Sequence, residues 1–141
     1  MKRLIAYMMV AISLFSASTV PGFAAKTDPS ESTIMPFYAY TDSVAVSLKI
    51  SSSGRATAKV EVAGYPTMTT HIYITMYLER KESGKWVTIE SWSDNVESDS
   101  LTLEESVVVQ SGYSYRVRTS CYSYSGTEHE HITKCSQEVN Y

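Results

Sequence analysis

Two of the three histidines sit two residues apart in Thr127-Glu128-His129-Glu130-His131. In an extended segment His129 and His131 share one face, and imidazoles so spaced can share a zinc or copper ion. No third ligand is evident. His71 is distant in sequence, and Cys121 and Cys135 are expected to be oxidised, so the plainer expectation is a polar hairpin tip with no bound metal. There is no GxSxG elbow, no HExxH and no CxxC, and no single serine stands out among so many. The expectation is therefore a non-enzymatic chain with no cofactor. A small metal-binding protein or enzyme centred on His129 and His131 is the alternative, and a structural protein that self-associates through a sheet edge is a third. Six acids lie between Glu90 and Glu105 with no base from Trp86 to Tyr115. The spacing Asp94, Glu97, Asp99 has no glycine turn and does not match a calcium loop, so a solvated acidic loop is expected.

A different chemistry is suggested by tyrosine beside serine, in Tyr113-Ser114-Tyr115 and Tyr122-Ser123-Tyr124-Ser125. Tyrosine gives contact area at low entropic cost, serine gives adaptable hydrogen bonds, and the mixture suits recognition surfaces. Tyr113, Tyr115 and Tyr141 read as core or corner residues. Tyr122 and Tyr124 fall instead on the Arg116 and Arg118 face of a strand, and with Tyr73, Tyr77, Trp86 and Trp92 they make the candidate ligand-binding set. Aromatic platforms of this kind suit the C–H-rich faces of sugars.

The element that must position Tyr122, Tyr124, His129 and His131 is a C-terminal hairpin. Tyr113, Tyr115, Val117, Thr119 and Cys121 alternate with Ser114, Arg116, Arg118 and Ser120, the pattern of a half-buried strand. Setting Cys121 opposite Cys135 as a disulfide puts Val117 opposite Val139, Tyr115 opposite Tyr141 and Arg118 opposite Glu138. That register leaves Ser125 to His131 as the tip. Two cysteines in a secreted domain are most simply one structural disulfide.

Upstream, Val44, Val46, Leu48 and Ile50 form one apolar face, Ala56, Ala58, Val60 and Val62 a second, and Ile72, Ile74, Met76 and Leu78 a third. The strand from Lys85 to Ser93 has two registers. A two-residue loop at Ser83-Gly84 leaves Trp86 and Trp92 outside beside Tyr73 and Tyr77, whereas a three-residue loop with a bulge at Gly84 turns both inward. Leu101, Leu103, Val107, Val108 and Val109 supply the next strand. No helical period of useful length occurs beyond the N-terminal segment. About seven strands with turns between them predict an all-β, antiparallel Greek-key β-sandwich.

Lys2-Arg3, the apolar run Leu4 to Phe15 and the small residues before Ala25 predict a secretory signal peptide over 1–24. A flexible leader over 25–42 and a β-sandwich domain over 43–141 follow. The expected product is extracellular, with no membrane insertion. Loss of the signal peptide takes the formal charge from 12 − 15 = −3 to 10 − 15 = −5, which disfavours nucleic acid. The expected partner is an extracellular protein or glycan.

Val109-Gln110-Ser111-Gly112-Tyr113-Ser114-Tyr115-Arg116-Val117 resembles the corner before the sixth strand of fibronectin type III and immunoglobulin-like domains. By that resemblance Tyr115 is the corner tyrosine, its phenol bonding back to the corner's backbone, and Val117 is the following core residue. The buried strand-C tryptophan and inter-sheet cysteine pair of those domains have no match here. Ser51-Ser52-Ser53-Gly54, Ser83-Gly84-Lys85-Trp86, Ser91-Trp92-Ser93 and Tyr122-Ser123-Tyr124-Ser125-Gly126 are in turn similar to a family of small secreted bacterial proteins of uncharacterised function. That likeness implies a secreted β-sandwich and supplies no active site.

Overall fold

A computed structural model describes residues 37–141, and the expected signal peptide and most of the leader lie outside that range. The strands are β1 (Thr41–Ile50), β2 (Arg55–Gly64), β3 (His71–Glu82), β4 (Lys85–Val96), β5 (Ser100–Val108), β6 (Ser114–Ser125), β7 (Glu128–Cys135) and the short β8 (Val139–Asn140). One sheet has the order β1-β2-β5. The other has the order β4-β3-β6-β7, with β8 pairing to β6 beyond the end of β7. The chain crosses between sheets after β2, β4 and β5, so the architecture is an antiparallel Greek-key β-sandwich.

The alternations set which faces meet. Val44, Leu48, Ala56, Ala58, Val60, Val62 and Leu103 from the first sheet pack against Ile72, Ile74, Met76, Leu78, Tyr115, Val117, Cys121 and Ile132 from the second. The β5 strand runs without a break through Glu104-Glu105, pairing Lys59 with Glu104 and Ala58 with Glu105. The domain begins earlier than residue 43, since Thr41 is 1% exposed and its hydroxyl donates to Ser123 Oγ at 2.7 Å. The corner forms as its residues predict: Tyr115 is fully buried and its phenol donates to the Gln110 carbonyl at 2.6 Å.

The final hairpin corrects the expected register. Cys121 lies opposite Ile132, Arg118 opposite Cys135 and Tyr115 opposite Val139. Val117 is bridged by Ser136, whose hydroxyl accepts its N–H at 2.9 Å. Glu138 meets Lys81 at 3.4 Å instead of Arg118. The cause is the turn. Ser125 pairs with Glu128 across Gly126-Thr127, with Gly126 at φ 61°, the first central position of a two-residue type II′ turn.

Relative to a Cys121–Cys135 pairing this tight turn shifts β7 by three residues, and an odd shift reverses its faces. Cys121 therefore points into the core and Cys135 out to solvent, and both are free thiols. Burial, with the Glu130 carboxylate, pushes the Cys121 thiol up to about 11. A thiol reagent is therefore expected to modify one site promptly in the native protein and a second only on unfolding. Cys135→Ser should abolish the prompt reaction, and rapid labelling that survives this substitution would contradict the placement.

The β3–β4 hairpin follows neither of its two expected registers throughout. Ser83 (φ 48°) and Gly84 (φ 79°) make a two-residue type I′ turn, so Glu82 pairs with Lys85 and Trp86 stands outside opposite Lys81. The register then shifts between Leu78 and Glu79, where Ile89 is the extra residue on β4. Beyond this bulge Trp92 lies opposite Met76 and packs against the core.

At the side where β1 and β7 meet, side chains join the sheets. The Glu130 carboxylate accepts the Ala39 and Tyr40 N–H groups at 2.8 and 2.9 Å, and Lys134 donates to the Val44 carbonyl. Inward-turned charges on β7 thus occupy backbone groups of the β1 edge that would otherwise be open to another strand.

Candidate functional site

The outer face of β4-β3-β6-β7 carries most of the distinctive chemistry of the chain. Cross-strand pairing builds it in rows: His71–Tyr124–His129, then Asn95–Tyr73–Tyr122–His131, then Ser93–Thr75–Ser120–Thr133, then Ser91–Tyr77–Arg118–Cys135, with Glu79 beside Arg116 at the far end. Each row exists because residues of one parity face the same way on antiparallel neighbours. All three histidines arrive at one end. They lie along β3 and β7, not in a hairpin tip.

The rings of the first two rows hold one another. Tyr122 stacks on His131 with centroids 4.5 Å apart and planes at 22°, and Tyr124 lies 5.3 Å from His129 and 5.4 Å, edge-on, from His71. Tyr73 and Tyr122 are 6.5 Å apart across β3 and β6. The tyrosines are half-buried while His129 and His131 are exposed. Mutual packing fixes the rotamers of these side chains and leaves their polar ends on the solvent side. Next to them Ser93 donates to Thr75 Oγ1 at 3.1 Å, and Thr75 donates to the Tyr73 oxygen at 3.3 Å. Beyond the first row an open hollow is lined by Thr70, His71, Glu97, Tyr124 and Gly126.

Ser120 Oγ and His131 Nε2 are 2.7 Å apart. A serine nucleophile needs its imidazole oriented by a third group, and among the described residues no carboxylate bonds the other nitrogen of His131. Nor do the described residues bring three histidine, cysteine or acidic side chains together in metal-holding geometry. Tyr124 separates His71 from His129 in their row.

The far end of the face is organised by a buried acid. Glu79 is 4% exposed, with one carboxylate oxygen accepting Arg116 Nε at 2.7 Å and the other accepting Arg118 Nε at 2.8 Å. Arg116 lies over the Trp86 ring at 4.4 Å and Arg118 over the Tyr77 ring at 4.1 Å. Desolvation alone would raise the Glu79 carboxyl, but hydrogen bonds and charge from Arg118 and Arg116 outweigh it and hold the group below its ordinary range.

Of the six expected ligand-binding residues, Tyr73, Tyr77, Tyr122, Tyr124 and Trp86 share this face. Trp92 does not, because the bulge at Ile89 turns it inward. Tyr77 and Trp86 support arginines on their ring faces. Residue types and parity did not single out His71, Glu79, Arg116 or Arg118. Each has the outward parity of its strand, and the missing information was the β3–β6 register between strands far apart in the chain.

No known protein family matches the chain, and no curated protein matches it. Among solved structures it is similar to a glycosyl hydrolase family 2 member from Bacteroides cellulosilyticus DSM 14838, at 13% identity and a TM-score of 0.39. That likeness covers 66% of this chain but only 15% of the hydrolase. It is also similar to CsgH of R. palustris, at 11% identity and a TM-score of 0.37, over 70% of this chain and 92% of that one.

Proposed function

We propose that the chain is a secreted, non-enzymatic recognition module that offers the outer face of β4-β3-β6-β7 to an extracellular ligand, a glycan in preference to a protein. The observation that supports this most is the interlocked cluster of Tyr73, Tyr122, Tyr124, His71, His129 and His131, continuous with the hydroxyl row Ser93, Thr75, Ser120 and Thr133. Hydroxyl and imidazole groups both donate and accept, which matches a polyol. Protein interfaces more often place an apolar patch at their centre, and here the large apolar side chains of these strands turn to the core.

The test is a glycan and extracellular-protein array probed with the mature protein and with the double variant Tyr122→Ala, Tyr124→Ala. Each ring is half-buried against its neighbours, so each truncation should cost about 1 kcal/mol of stability. The variant should remain folded and lose the glycan signal. Undiminished glycan binding would remove these rings from the site, and a cooperative collapse of the fold would assign them to structure.

A further inference from the structure

We propose that the Arg116–Arg118 pair is an anion subsite of this recognition face and that its ligand is a carboxylate-bearing oligosaccharide, an inference that rests on the glycan reading above. Each guanidinium bonds Glu79 through Nε. Among the described residues neither gives an Nη hydrogen to a protein acceptor. Glu79 and the rings of Trp86 and Tyr77 therefore fix the position of two forks whose outer donors remain available, with the arginine side chains 26% and 31% exposed. One buried acid between two arginines leaves a net positive charge, and planar forks of this kind recognise carboxylates by paired N–H donors.

The distribution of charge selects the same ligand. The whole chain is net negative, at −3. Yet Glu90 and Asp94 of β4 and Glu128 and Glu130 of β7 all have the parity opposite to this face. At the arginine end what remains outward is Arg116, Arg118 and Lys81 with Glu79, joined by Glu138, which meets Lys81 at 3.4 Å, while Glu97 lies at the opposite end beside His71. Three cations against two acids make this a positive region on an acidic protein. Arg118 is four residues from Tyr122 on the same strand, roughly 13 Å at about 3.3 Å per residue, so a ligand touching both must be an oligomer. Between them the Ser120 row supplies hydroxyls suited to sugar and carries no charge.

The experiment titrates the full-length mature protein with 1,4-linked hexagalacturonate, with the same hexasaccharide carboxyl-reduced to its neutral form, with monomeric galacturonate, and with a hexapeptide of glutamate. Binding is followed by calorimetry and by NMR of the Arg Nε–Hε groups and the tyrosine rings. The acidic hexasaccharide should bind at least about tenfold more tightly than the neutral one, the difference expected of one charge-assisted contact. It should shift both the Arg116 and Arg118 resonances and the Tyr122 and Tyr124 rings. Arg118→Gln should remove the preference for charge and leave the neutral hexasaccharide unaffected. The measurements on the native protein decide the matter if that variant does not fold.

Equal binding of charged and neutral sugars, with only the tyrosines shifting, would overturn the anion subsite and keep the glycan reading. Binding of the peptide without the acidic sugar would overturn the ligand class. No shift at Arg116 or Arg118 with either the acidic hexasaccharide or free galacturonate would overturn the proposal, and silence at Tyr122 and Tyr124 as well would tell against both.

Discussion

Replacing Glu79 with glutamine is expected to destabilise the protein by about 3 kcal/mol, because removing one member of a buried charge cluster leaves the others uncompensated. Arg116 and Arg118 would lie side by side along β6 with no anion between them and would lose the anchor that holds them over Trp86 and Tyr77. Both can turn partly toward water, which places the loss toward the lower end of the range for buried pairs.

The acid dependence supplies an independent check. The folded Glu79 carboxyl lies below its ordinary value, so its contribution is complete above the unfolded value of about 4.3 and is lost as pH falls from there through the folded value. Urea unfolding at neutral pH should separate wild type from Glu79→Gln, and the gap should shrink progressively in that acid range. A gap that is independent of pH would mean that shape, not charge, accounts for the loss.

An equally large effect is expected at Gly64, for a steric reason. A Cβ added there would lie 2.5 Å from the Thr69 Cβ and 2.6 Å from its Cγ2. Those atoms cannot swing away as a long side chain could, since Thr69 is 6% exposed and its hydroxyl donates to the Tyr40 carbonyl. Gly64 is itself held by its N–H to the Asp99 carbonyl at 2.6 Å. Overpacking at such a point costs about 1 to 3 kcal/mol, and with backbone held on both sides Gly64→Ala should fall at the upper end. That corresponds to a drop of more than about 10 °C in melting temperature for a domain of this size. Thr69→Gly removes the obstructing atoms, so the double variant should be more stable than the sum of the two single losses implies. Additive losses, or a Gly64→Ala protein that melts with wild type, would contradict the contact.

The alternating strands were legible in the sequence because period-two burial is written locally. Ile72, Ile74, Met76 and Leu78 face the core as their spacing predicts, and Tyr115 makes the corner bond that its motif implies. What failed was register. A Cys121–Cys135 bond and a two-residue turn at Gly126-Thr127 demand different pairings, and the glycine at the first loop position, a local signal with a definite geometry, decides between them. The three-residue error carried Cys135 to the wrong face.

The candidate site was legible in its tyrosines and not in its charges. Tyr122 and Tyr124 could be placed from the parity of one strand. The Glu79 cluster joins β3 to β6, which are separated by β4 and β5 in the chain, and no alternation along a single strand reveals such a pairing.

The extra residue at Ile89 lies on a strand with only one hydrogen-bonded neighbour in its sheet. An insertion or deletion there need be accommodated on one side alone, so it can occur without re-registering β6 or β7. Its effect would nevertheless run along the strand, setting Trp86 and Trp92 on one face of β4 where they now lie on opposite faces. The border of the proposed recognition face is thus the part most open to change by a single codon gained or lost, while its centre, paired on both sides, is confined to change by substitution.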